Sequence, residues 1–131
     1  MFIKINFQSE MPIYLQLYQE IIKGIAMKKL LAGEPLPSVR VLSEDLGINM
    51  HTVNKAYTLL KQEGFIQIHR QKGVEINPDG MPLADEAFII LLQEKLEPLI
   101  AESIAKGLKK EDFIKECANL FDYYQEESEK Q

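Results

Sequence analysis

The sequence predicts a mainly α-helical fold with a small β-wing: an N-terminal winged helix-turn-helix followed by a short C-terminal two-helix segment. Three observations predict it. Between Pro35 and Gly64, two short amphipathic stretches are joined by a short turn that includes Gly47. From Phe65 to Ile76, apolar and polar residues alternate on either side of the polar run Arg70-Gln-Lys-Gly73. Past Asn77-Pro-Asp-Gly80, a turn by composition, the pattern becomes helical and acidic. The expected division is residues 1–78 for the winged domain and 79–131 for the helical segment.

Taking the chain in order, Phe2-Ile-Lys-Ile-Asn-Phe7 alternates as a short edge strand does. Ser9 to Pro12 reads as a helix start, with Pro12 at the first helical position and Ser9 or Glu10 beside the positive end of the dipole. Ile13, Leu17, Tyr18, Ile21, Ile22 and Ile25 then make an apolar stripe that ends near Met27. Lys28 and Lys29 stand at the negative end, where they favour the dipole or reach a phosphate. Leu30 to Pro37 is a connection, with Leu36 expected in the core.

Pro35 and Pro37 push the residues before them out of helical space. Ser38 offers a hydroxyl cap to a helix running to about Leu46, and Gly47 suits the left-handed residue that ends it. Asn49 caps a second helix, which should end at Gly64. Val39, Leu42 and Leu46 share one face, and Val53, Ala56, Tyr57 and Leu60 share another. A helix-turn-helix meets this pattern, and so does an ordinary helical hairpin. The stretch beyond Gly64 favours the first. Ile66 and Ile68 alternate with Gln67 and His69, and Val74 and Ile76 flank Glu75, as in two half-buried strands. A hairpin directly after the second helix is a wing, and its basic tip suits a phosphate or minor-groove contact. In such a unit the second helix enters the DNA major groove and its N-terminal residues reach the bases.

Leu83 to about Lys106 is expected as a helix ended by Gly107. Pro98 cannot donate to the Glu94 carbonyl, which predicts a kink or break there. A last helix is expected from about Lys110 to Tyr124, with a frayed polar tail at 125–131. Phe88-Ile-Ile-Leu-Leu92 spreads apolar side chains around the whole helix, so one neighbouring helix cannot cover them. Two helices of this length also bury too little surface to stand alone. A second copy packed across a two-fold axis meets both needs; packing back onto the winged domain is the alternative. The expected dimerisation residues are Phe88, Ile89, Leu92 and Leu96 on one helix and Phe113, Cys117, Leu120 and Phe121 on the other. Cys117, lying on an apolar stripe, reads as an inert core thiol rather than a redox sensor.

No run in the 131 residues reaches the roughly 18–20 apolar residues of a membrane span. Met1-Phe-Ile-Lys-Ile-Asn6 lacks the apolar core and cleavage site of a secretory signal. Cys117 is the one cysteine, which excludes a disulfide framework and a cysteine-based zinc site and fits a reducing cytoplasm. The net charge of −5 divides unevenly. Residues 1–78 hold nine Lys/Arg and seven Asp/Glu, net +2, whereas residues 79–131 hold six and thirteen, net −7. That asymmetry fits a nucleic-acid-binding part joined to a solvated part, and the weak +2 predicts modest, salt-sensitive non-specific binding. With no Gly-rich phosphate loop, Gly-x-Ser-x-Gly or zinc-type His/Cys spacing, no enzyme activity, metal or cofactor is expected.

The stretches PIYLQLYQEI (12–21), LPSVRVLSEDLGIN (36–49) and TVNKAYTLLKQEGFI (52–66), with the hairpin after them, resemble the DNA-binding domain of GntR-type transcriptional regulators over residues 11–76. The short remainder resembles the YtrA-like subgroup in particular. The resemblance implies a bacterial homodimeric regulator, usually a repressor, on a palindromic operator, often controlling an ABC-type transporter operon. It also implies operator contacts by Arg40 and Thr52. Two departures stand out: Met50 and Asn54 replace arginines common in relatives, and the wing Arg70-Gln-Lys-Gly-Val74 lacks the second Gly and the Thr of the usual R-x-G-x-G-T.

Candidate DNA-contacting residues are Ser38 and Arg40 at the first motif helix, Asn49, Met50, His51, Thr52, Asn54 and Lys55 at the second, and Arg70, Lys72 and Gly73 in the wing. Arg40 can take a phosphate or a guanine edge bidentately, Asn54 can bond adenine, Thr52 offers a hydroxyl and a methyl, and Lys55 suits a phosphate. Each has a plainer alternative as a solvated surface residue. Tyr57 is expected in the core rather than as a stacking platform, and His51 with His69 makes no metal-ligand set. Double-stranded operator DNA bound by a homodimer is one reading. A protein-interaction module whose DNA surface has lapsed is the other, given Met50, Asn54 and the weak charge. No residue pattern points to an effector ligand.

Overall fold

The computed structural model describes residues 3–130, which form two compact units, 3–82 and 83–130. The first begins with an irregular segment. The edge strand expected at 2–7 does not form over its described residues, and Phe2 lies outside them. A side chain takes the place of a strand partner: Asn6 N donates to Gln16 Oε1 at 2.8 Å, and Gln16 Nε2 donates to the carbonyls of Asn6 and Met11 at 3.0 and 2.9 Å. Helix α1 spans Ile13–Ala26, so Pro12 is its cap residue rather than its first helical one. Ser9 Oγ accepts from Met11 N at 3.1 Å and shapes the turn before the helix instead of capping it. At the other end Lys28 takes a left-handed φ of 58°, and the Gly24 carbonyl accepts from Lys29 N and Leu30 N at 2.8 and 3.1 Å.

Gln16 is buried, and it is the link between the N-terminal segment and α1. Replacing it with Ala removes three hydrogen bonds from partly covered backbone groups. The expected cost is about 2 kcal/mol, read as a lowered urea midpoint with unchanged helix content.

Strand β1, Pro35–Leu36, precedes α2, Val39–Leu46, and α3, Met50–Gln62. Strands β2, Ile66–His69, and β3, Gly73–Ile76, complete an antiparallel sheet of order β1-β3-β2. Leu36 faces Val74 and Ile68 faces Val74 from the other side of β3. β1 has no counterpart in the sequence pattern, because two residues between prolines show no alternation; Pro35, lacking an N–H, is tolerated because the strand is an edge. The core gathers Leu17 and Ile21 of α1, Leu42 of α2, Val53, Ala56, Tyr57 and Leu60 of α3, and Ile66, Val74 and Ile76 of the sheet, with Leu36 buried as expected. Ile68, by contrast, is exposed.

The chain leaving β3 is fastened to the end of α3. Asn77 Nδ2 donates to the Gly64 carbonyl at 2.9 Å and Asn77 N to the Phe65 carbonyl at 3.0 Å, while Asn77 Oδ1 accepts from Asp79 N at 3.0 Å. Pro82 lies so near Gly64 that a Cβ there would stand 3.3 Å from its Cγ. The first unit therefore runs to Pro82, beyond the turn at Asn77–Gly80.

In the second unit, α4 spans Glu86–Ala105 and α5 spans Lys110–Glu129. Asp85, not Leu83, starts α4, its Oδ1 accepting from Phe88 N at 2.9 Å. The helix runs through Pro98 without a break. Helical residues continue on both sides of it, so of the expected kink or break the break does not occur. Lys110 to Tyr124 proves too short for α5, and the tail read as frayed is helical to Glu129. Ser128 Oγ donates to the Gln125 carbonyl at 2.9 Å, and Lys130 Nζ pairs with Glu127 at 3.0 Å. Neither helix buries a residue. Phe88 to Leu92 are 40–50% exposed, Leu120 and Phe121 more so, while Leu96, Phe113 and Cys117 are half-buried. Within the single chain Cys117 is thus only partly enclosed.

Candidate nucleic-acid interface

The turn between α2 and α3 is built locally. Ser38 Oγ accepts from Val41 N at 3.1 Å and Asn49 Oδ1 accepts from His51 N at 2.7 Å, so each side chain begins a helix. Gly47, at φ 67°, takes the left-handed conformation a side chain would disfavour, and Ile48 N returns to the Ser43 carbonyl at 3.0 Å. Buried Ser43 closes α2 from within, donating to the Arg40 carbonyl at 2.8 Å. Tyr57 Oη donates to the Pro37 carbonyl at 2.8 Å and ties the middle of α3 to the approach of α2. Burial pushes the Tyr57 hydroxyl well above the usual tyrosine range, so it stays protonated and remains a donor. The core role expected for Tyr57 is the one it has.

These bonds decide what faces outward. Arg40, the second residue of α2, is exposed and pairs with no carboxylate among the described residues. Met50 at the first position of α3 is 50% exposed, and His51, Asn54 and Lys55 are exposed while Thr52 is half-buried. Lys55 is not extended into solvent. Its Nζ sits 4.0 Å from the centroid of the Tyr14 ring, in a cation–π contact between α3 and the start of α1. Tyr14 is unmarked in the sequence, because one aromatic beside an apolar stripe carries no sign of a partner 41 residues away. Thr58 is a further residue that the motif does not single out, though it lies one turn beyond Asn54 and Lys55 on the exposed stripe.

The wing is a three-residue loop, Arg70-Gln71-Lys72, closed by Gly73 at φ 84° opposite His69. Arg70, Lys72 and Gly73 are exposed at its tip. At its base His69 Nε2 and Glu75 Oε1 lie 2.9 Å apart. All candidate DNA-contacting residues thus belong to the first unit, and all candidate dimerisation residues to the second. Among the described residues no group of three or more His, Cys, Asp or Glu could hold a metal, and no helix is long and apolar enough to cross a membrane.

A helix-turn-helix whose second helix offers an exposed polar stripe, followed at once by a basic-tipped hairpin, defines a DNA-binding transcriptional regulator of the winged-helix class. Comparison gives the family. The model for bacterial regulatory proteins of the gntR family matches residues 13–76. The HTH-type transcriptional repressor YtrA of Bacillus subtilis (strain 168) is 34% identical over 120 residues, covering 88% of this chain and 92% of that protein. The solved YtrA from Sulfolobus acidocaldarius, a GntR-family transcription factor, superposes with a TM-score of 0.63 at 37% identity, over 77% of this chain and 99% of that one. A transcriptional antiterminator from Listeria monocytogenes EGD-e gives a TM-score of 0.82 at 29% identity, over 92% and 89%. The chain belongs to the GntR family and is a YtrA-like regulator.

Proposed function

We propose that the protein acts in the cytoplasm as a homodimer that binds a palindromic operator and represses transcription, with a transporter operon as its target. The observation that carries the reading is the set of side chains at the helix-turn-helix with no partner among the described residues: Arg40 at the start of α2, and Met50, His51 and Asn54 at the start of α3. In this reading Arg40 takes a phosphate or guanine, Thr52 and Asn54 read bases, and Arg70, Lys72 and the Gly73 backbone hold the wing to phosphate. Ser38 and Asn49 set the helix starts that aim them. The apolar surfaces of α4 and α5 supply the two-fold contact, through Phe88, Ile89, Leu92, Leu96, Phe113, Cys117, Leu120 and Phe121. Repression is supported by the Bacillus relative, which bears the name of a repressor. The transporter target rests on the resemblance to the subgroup alone.

A mobility-shift titration on the DNA upstream of the protein's own gene tests the reading. The wild type is expected to bind a palindrome there in preference to unrelated duplex. Arg40→Ala should weaken that binding by about 1–3 kcal/mol without lowering the thermal midpoint. Equal, weak binding of both proteins to any DNA would instead favour a protein-interaction module.

A further inference from the structure

The outward stripe of α3 is His51, Asn54, Lys55 and Thr58, one side of the helix opposite buried Val53, Ala56, Tyr57 and Leu60. Helix α3 contains no arginine, and Lys61 lies in its last turn, away from the N-terminal half that enters a groove. Lys55 is therefore the one cation on the stripe's leading half. Its ammonium lies over the face of Tyr14, drawn sideways toward α1. An ammonium held there keeps its outer N–H groups for the DNA backbone, whereas bidentate recognition of guanine needs it extended along the groove.

With Lys55 turned aside, the uncharged side chains Met50, Asn54 and Thr58 are left to face base edges. Asn54 has the paired donor and acceptor that match adenine N7 and N6. Met50 and the Thr58 methyl are apolar contacts of the kind a thymine methyl accepts, and the Thr58 hydroxyl can pair with either base. His51 commits to no one base. We infer that α3 reads A·T base pairs, with Asn54 on an adenine and Met50 and Thr58 on thymine methyls, while Tyr14 holds Lys55 to a phosphate. This inference rests on the operator-binding reading above and names the sequence class that the reading leaves open.

Selection from a pool of randomised duplexes tests it, using the full-length wild type, Asn54→Ala and Lys55→Met. Wild type is expected to enrich half-sites with A·T pairs at two or more adjacent positions. Asn54→Ala should relax one adenine position by about tenfold and leave the others. Lys55→Met should weaken every duplex by one common factor and reduce the salt slope by about 1. Both side chains are exposed, and unchanged melting midpoints establish that the variants fold. A G·C pair at the position that Asn54→Ala relaxes overturns the inference, as does a Lys55→Met protein that loses preference for one guanine. If the wild type enriches nothing, the operator-binding reading itself fails, which is a different result from enrichment of the wrong bases.

Discussion

Phe88→Asp combined with Leu92→Asp is expected to turn the protein into a 15.1 kDa monomer by sedimentation equilibrium, where the wild type should show twice that mass. The two residues lie one turn apart on α4 and are 49% and 40% exposed within the chain. In a two-fold pair their side chains would be covered, and a carboxylate there would be desolvated with no partner. The helix itself should survive. Phe88 sits in the first turn, where an acid complements the dipole, and its backbone N–H remains capped by Asp85. Operator affinity should fall by at least about 100-fold, because each half-site would be held by one protomer instead of two linked ones. A variant that keeps the doubled mass would show that another surface joins the copies.

Tyr57→Ala should have the largest effect on stability. The side chain is fully buried, the largest such in the core, and its hydroxyl meets the Pro37 carbonyl at 2.8 Å. Removing the ring leaves a cavity among Val53, Leu60 and their neighbours and strands that carbonyl, at an expected cost of about 4 kcal/mol. For a small domain that is a large part of the whole, so the winged unit should melt near ambient temperature. Tyr57→Phe separates the two effects. It keeps the packing, should cost about 1 kcal/mol, and loosens the tie between α3 and the start of α2. A pH titration checks the same group. The folded-state pKa is raised, so the stability this tyrosine provides is complete below its ordinary value of 10.0 and is lost as the pH rises past it. Tyr57→Phe should flatten that alkaline decline; an unchanged decline would place its cause elsewhere.

Much of the winged unit is legible in the sequence because its signals are local. Ser38, Gly47 and Asn49 each act within a few residues, through caps and a left-handed turn, and the structure uses each as expected. The wing is legible for the same reason, its loop closing on Gly73. The losses come where a distant group decides. Gln16 holds residues 6 and 11 in place of a strand, and β1 exists only because β3 passes beside it. Pro98 does not break α4, because a helix that already continues on both sides can lose one ladder donor and stay helical. At the interface, residue types on α3 could be read from sequence, but the place of Lys55 could not, because Tyr14 belongs to another helix.

The fastening of Asn77 and Pro82 to Gly64 leaves a very short tether. Only Leu83, Ala84 and Asp85 separate Pro82 from the first residue of α4. Three residues span at most about 10 Å when fully extended, and B-DNA rises about 3.4 Å per base pair. In the proposed pair each protomer therefore has slack for roughly three base pairs. Half a helical turn, about five base pairs, exceeds what one tether supplies and also swings the second half-site to the opposite side of the duplex. A dimer built this way measures distance along DNA as well as reading sequence, and the tether sets its gauge.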